Sequence, residues 1–119
     1  MYPNAVRSED IVANTISSSG TLITIPAGRW LAGTLSLSAS IGTLAGTSIS
    51  SVATAGTNVA PVAGSVLLRL NLTGSLLGTS SEVVSSEILV RAPDENDVTL
   101  TFTAGATGIS SVSISGFFI

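Results

Sequence analysis

Serine is the most abundant reactive group in this 119-residue chain, with 20 Ser beside 14 Thr. A serine becomes a nucleophile only when a neighbouring base takes its proton. The chain holds no His and no Lys, so the usual bases are absent. The strained G-x-S-x-G turn that presents a nucleophilic serine is also missing. Acid pairs are the next possibility, because glycoside hydrolysis needs two carboxyl groups facing one another across a cleft. Glu82 and Glu87 fall on one extended segment, but five residues apart they point to opposite faces of a strand. The tightest acidic group is Asp94, Glu95 and Asp97, with Asn96 between. Oxygen-rich loops of this kind can hold Ca²⁺. This one lacks the glycine and the closing glutamate of the calcium-loop motif, and it follows Pro93, so it reads first as a polar turn. It is the one candidate metal loop, and no cofactor is expected.

The elements that would carry these residues are extended. Leu35, Leu37, Ala39 and Ile41 alternate with Thr34, Ser36, Ser38 and Ser40. The same period of two recurs over Val66–Thr73, Val98–Ala104 and Ser111–Phe118. An apolar face backed by small hydroxyl groups is the pattern of a half-buried antiparallel sheet. Gly and Pro clusters punctuate these runs: Pro26-Ala27-Gly28, Gly42 to Gly46, Ala55-Gly56, Pro61 to Gly64, Gly74 to Gly78, Pro93 to Asp97, and Gly105 to Gly108. The pattern predicts strands over 11–17, 20–25, 29–40, 46–54, 65–73, 82–91, 97–104 and 109–118. About eight strands at this spacing predict an all-β, two-sheet antiparallel β-sandwich, jelly-roll-like. Residues 11–119 form its single domain, and residues 1–10 an N-terminal arm or tail. A short helical turn within 5–13, capped by Asn4, is the only helical signal.

Composition narrows the function further. Apolar residues make up 45% of the chain and charged residues 9%, against an average of roughly 25%. The net charge is −3, and Arg7, Arg29, Arg69 and Arg91 are scattered, so no basic patch for nucleic acid forms. The absence of cysteine removes disulfides and thiolate chemistry. No apolar run reaches 18 residues, and the first 20 residues lack the pattern of a secretory signal, so no membrane association is expected. A chain so apolar and so poorly charged is expected to cover surface with copies of itself or with a partner. Arg29-Trp30 belongs to the residue types enriched in binding hot spots, with a plain packing role at a sheet edge as the alternative. The segment ends on Phe117, Phe118 and Ile119; on a strand the two Phe rings face opposite ways, so a second sheet covers both or one meets another subunit. These five residues are the candidate interface.

The run Leu22-Ile23-Thr24-Ile25-Pro26-Ala27-Gly28-Arg29-Trp30, followed by Gly33-Thr34-Leu35-Ser36-Leu37-Ser38-Ala39-Ser40, resembles small β-sandwich proteins of tailed bacteriophages. Pro61-Val62-Ala63-Gly64-Ser65-Val66-Leu67-Leu68-Arg69-Leu70 fits the same style. The likeness, spanning roughly residues 20–73, is to capsid decoration (cement) proteins and less closely to fibre modules. It implies a non-enzymatic homotrimer on the outer capsid surface of the virion. Such a trimer would be made in the host cytoplasm and would bind and stabilise the assembled major capsid protein. The other reading is a carbohydrate- or receptor-binding module using Trp30 with Asp94, Glu95 and Asp97.

Overall fold

The computed structural model describes residues 8–42, 48–57, 65–105 and 108–119. Ser8–Asp10 make one turn of 3₁₀ helix, and eight strands follow. They are β1 (Ile11–Ile16), β2 (Gly20–Ile25), β3 (Trp30–Ile41), β4 (Ser48–Thr57), β5 (Ser65–Thr73), β6 (Ser80–Arg91), β7 (Val98–Thr103) and β8 (Ile109–Phe118). Helix is disfavoured throughout by β-branched residues and by serines that compete for backbone hydrogen bonds.

The strands form two four-stranded antiparallel sheets, β1-β8-β3-β6 and β2-β7-β4-β5. The pairs β1/β8, β2/β7, β3/β6 and β4/β5 nest inside one another, which is a jelly roll. Only β4 and β5 are consecutive neighbours in one sheet; the other connections cross between sheets. The inner faces are those the alternation demands. Leu31, Leu35, Leu37 and Ile41 of β3 meet Leu100 and Phe102 of β7, with Val112 and Ile114 of β8 and Leu70 of β5 completing the layer. Phe102 is wholly buried.

Beyond one-residue shifts at the ends of β1, β3 and β7, the expected and observed elements differ in three places. Ala55-Gly56, read as a turn, lies inside β4, where Ala55 pairs with Leu100 and Gly56 with Thr99 of β7. Cross-strand pairing overrides the local turn signal there. β6 begins at Ser80, because Ser80 and Ser81 continue the ladder with Ile41 and Ser40. Of the helical signal around residues 5–13, residues 5–7 lie outside the described residues, Ser8–Asp10 make the 3₁₀ turn, and Ile11 onward pairs with β8 instead. Asn4, the start of the predicted strand at 46–47 and Pro61–Gly64 lie outside the described residues.

Two local devices position the end of the sandwich that carries Trp30. Pro26–Arg29 forms a β-turn in which the Arg29 N–H donates to the Pro26 carbonyl at 3.0 Å. Gly28 sits at φ 77°, the left-handed value that the third position of a type II turn requires. Further along, Gly33 of β3 pairs with Gly116 of β8. A Cβ on either would strike the neighbouring strand's backbone, so the strands approach closely only because both are glycine.

Candidate interaction surface

The end of the sandwich that carries Trp30 brings together most of the residues singled out from the sequence. Trp30 opens β3 on the outer face of the β1-β8-β3-β6 sheet. Its N–H donates to the Ile119 carbonyl (3.3 Å), and the Ile119 N–H donates to the Trp30 carbonyl (2.9 Å). On the other side it stands opposite Arg91 of β6. Arg29 is a clamp: Nη2 donates to Asp10 Oδ1 at 3.1 Å, Nε to the Ile119 carbonyl at 3.0 Å, and the guanidinium lies 5.7 Å from the centre of the Phe118 ring. Arg29 therefore ties the residues before β1 to the end of β8. Its neighbour Trp30 is half-exposed.

Phe117 and Phe118 face opposite ways, as a strand requires. Phe118 turns inward and packs against the core. Phe117 turns outward and is half-buried in a row that runs straight across the sheet: Ile11, Phe117, Ala32, Leu89. Ile11 and Leu89, at the two ends of this row, are 60% and 62% exposed. Beyond the row the outer face becomes hydroxylated. Thr34 pairs with Ser115, Ser36 with Ser113 and Ser38 with Ser111. The Ser38 and Ser111 hydroxyls bond to each other at 2.7 Å. Glu87, opposite Thr34, and Arg91, opposite Trp30, are the charges on the face among the described residues of these strands. At the far end of the molecule Leu76 and Leu77 stand exposed on the β5–β6 turn.

The acidic loop is a turn between β6 and β7, and two of its acids bond to neighbouring groups. Asp97 Oδ1 accepts from the Ala27 N–H at 2.9 Å, and Asp94 pairs with Arg91. Both acids are thus tied to the two turns that abut here, where the Gly28 N–H also donates to the Pro93 carbonyl at 2.9 Å. Glu95 is exposed. Among the described residues no three His, Cys, Asp or Glu side chains gather in a way that could hold a metal ion. Glu82 and Glu87 line separate shallow hollows, one with Ser110 and Ser111 and one of about 260 Å³ with Phe117 and Leu89.

Ile11, Leu89 and Val83 belong to this surface but were not among the residues picked from the sequence. Their signal is present: Val83-Val84 and Ile88-Leu89-Val90 place apolar residues on both faces of a strand, which a half-solvated strand does not need.

The fold and surface together define a small jelly-roll β-sandwich with one apolar, charge-poor outer face. No known protein family matches the chain, and no curated protein matches it in sequence. Among solved structures it is similar to part of dimeric latent PorU from Porphyromonas gingivalis, at 11% identity and a TM-score of 0.49. That likeness covers 95% of this chain and 13% of the PorU chain. It is also similar to a Family 16 carbohydrate binding module-2, at 9% identity and a TM-score of 0.33, over 88% of this chain and 74% of that one. Likenesses this distant bear on neither function nor partner.

Proposed function

We propose that the chain is a non-enzymatic structural module that lays the outer face of its β1-β8-β3-β6 sheet on an assembled viral shell, as a capsid decoration protein on the outside of the virion. The observation that carries this reading is the row Ile11–Phe117–Ala32–Leu89, flanked by Trp30, on a face whose centre is lined by the small hydroxyl groups of Thr34, Ser36, Ser38, Ser111, Ser113 and Ser115. A broad, nearly uncharged patch of this kind adheres by contact area and not by long-range charge. A module that binds only the assembled lattice adds its binding free energy to the stability of that lattice. The ties of Asp94 and Asp97 to neighbouring groups, with a composition that lacks His and Lys, support a role without catalysis.

The test is co-sedimentation with assembled shells of the source virus and with free capsid subunits. Binding is expected to the shells alone. It should weaken by at least about tenfold in an Ile11→Ser/Phe117→Ser variant, since each buried apolar side chain contributes about 1.5–3 kcal/mol. No pelleting with shells, or equal binding to free subunits, refutes the reading. A second reading rests on the Trp30 corner, where a half-exposed indole adjoins Arg91 and its partner Asp94. Such a corner could stack on a sugar ring. A glycan array probed with the wild type and with Trp30→Ala decides it: signal lost in the folded variant supports it, and no signal for the wild type removes it.

A further inference from the structure

We infer that the open edge of β6 pairs with β6 of a second copy of this chain, antiparallel about a twofold axis at Ser86, to make one continuous eight-stranded sheet.

Four strands end the two sheets. β1 and β2 are six residues long, and β2 carries a register shift; β5 is nine residues long and carries one too, at Leu67. β6 is twelve residues long and runs in unbroken register with β3, from Trp30↔Arg91 to Ile41↔Ser80. Long, straight edges template pairing with another chain unless proline, bulges or charge protect them. β6 has no proline and no register shift, and its charges, Glu82, Glu87 and Arg91, leave 83–86 and 88–90 uncharged.

The free groups on this edge can be assigned. Trp30 spends its N–H and carbonyl on Ile119, so the even-numbered residues of β3 bond to β8 and the odd-numbered ones to β6. By the constant register, β6 meets them with its even-numbered residues. The N–H and carbonyl groups of Ser81, Val83, Ser85, Glu87, Leu89 and Arg91 therefore point to the open edge. One of them, the Glu87 carbonyl, already accepts from the Ser86 hydroxyl at 3.2 Å and keeps a second lone pair for a partner strand. Among the described residues no strand pairs with this edge.

The side chains then select both the occupant and the register. In a twofold antiparallel pair that keeps outward side chains on one face, odd residues stand opposite odd ones. An axis at Glu87 sets Glu87 against itself. An axis at Ser85 sets Val83 against Glu87 and Leu89 against Ser81. An axis at Ser86 sets Val83 against Leu89 at two symmetric positions, Glu87 against Ser85, and Arg91 against Ser81. On the inner side it sets Val84 against Ile88. Val83 and Leu89, 69% and 62% exposed in the single chain, then cover each other. The one cost is Glu82, which stands beside Val90 near the rim. A self-complementary strand is the signature of an isologous contact, in which one residue meets a second and the second meets the first. The row Ile11–Phe117–Ala32–Leu89 continues into Val83 of the second copy. This inference stands whether or not the shell-binding reading holds.

The decisive experiment introduces a single thiol into a chain that has no cysteine. At the axis the two copies of residue 86 form a non-hydrogen-bonded pair with Cα atoms about 4.5 Å apart, within the range a disulfide spans. Mild oxidation of Ser86→Cys is expected to give a covalent dimer on non-reducing electrophoresis, whereas Ser113→Cys, in mid-face on β8, stays monomeric. Sedimentation velocity is expected to show a wild-type dimer that dissociates in Val83→Lys and in Ser85→Pro. The proline removes only an N–H that points outward. A wild-type monomer at high micromolar concentration overturns the inference, as does a discrete trimer in which Ser86→Cys fails to cross-link. Because Ser86→Cys adds no charge and removes no backbone bond, the cross-link remains readable even where Ser85→Pro does not fold.

Discussion

Glycine shows how differently one residue type acts at different places in this fold. Gly116 and Gly33 let β8 and β3 approach, and a Cβ on Gly116 would clash with the Ala32 carbonyl oxygen. Gly116→Ala is expected to lower stability by about 1–3 kcal/mol in urea titration, because backbone gives way less readily than side chains. Gly28→Ala meets no hard obstacle but must hold a left-handed φ, at a cost of about 1–2 kcal/mol. Gly42 has open space and no such φ, so Gly42→Ala is expected to be neutral or stabilising by a few tenths of a kcal/mol. Three equal losses would refute this ordering. Asp97 and Asp94 separate in the same way. Asp97→Ala removes the acceptor for the Ala27 N–H and should cost about 1 kcal/mol, while Asp94→Ala breaks an exposed ion pair and should cost about 0.5 kcal/mol or less. Because both carboxylates are already tied to the turns, Ca²⁺ is expected to leave the thermal midpoint unchanged; a rise of several degrees would restore the loop as a metal site.

At the scale of the element, the strands were legible because period two survives almost everywhere in the chain. Each run of leucine or isoleucine against serine or threonine became a strand with that face inward. The exception is informative: Ala55-Gly56 has the residues of a turn but stays in strand β4, because Ala55 pairs with Ser65 of β5 and Leu100 of β7 and Gly56 pairs with Thr99 of β7. The candidate surface was half legible. Trp30, Arg29 and the Phe117–Ile119 segment could be picked by type, whereas Ile11 and Leu89 join Phe117 only through the cross-strand register. Large-to-small changes on the inner faces should behave as core changes do. Phe102→Ala is expected to cost about 3–5 kcal/mol, measured by chemical denaturation, against near zero for Ser36→Ala on the outer face.

The whole molecule is a thin slab, 55 × 37 × 17 Å, and its broad faces leave much surface in water. Its accessible area of 6885 Å² exceeds the roughly 5900 Å² expected for a folded monomer of 11.8 kDa. Among the described residues, Ile11, Val83, Leu89 and Ile109 leave apolar surface exposed on the outer face of the β1-β8-β3-β6 sheet. Shell binding through the outer face is expected to change little between low and high salt, since few charges contribute; a steep salt dependence would point to an ionic contact elsewhere. The topology also governs folding. β1 pairs with β8 across nearly the whole chain, and β2 with β7 inside that pair. Loop closure of this length precedes any gain from contact, so refolding after stopped-flow dilution is expected in the range of about milliseconds to seconds, not microseconds.

The amino-acid sequence by itself determined the fold class, the number of strands, most of their limits, and which side of each strand meets the core. These follow from local rules: side-chain alternation, turn chemistry, and the poor fit of serine, threonine and β-branched residues to helix. Only the tertiary structure decided which strand lies beside which. Period two says where a side chain points but carries no information about its neighbour in the sheet. The nested order β1-β8-β3-β6 therefore had to come from packing, and with it came the apolar row, the clamp of Arg29 on Asp10 and Ile119, and the exposure of β6 as a long, unbroken edge.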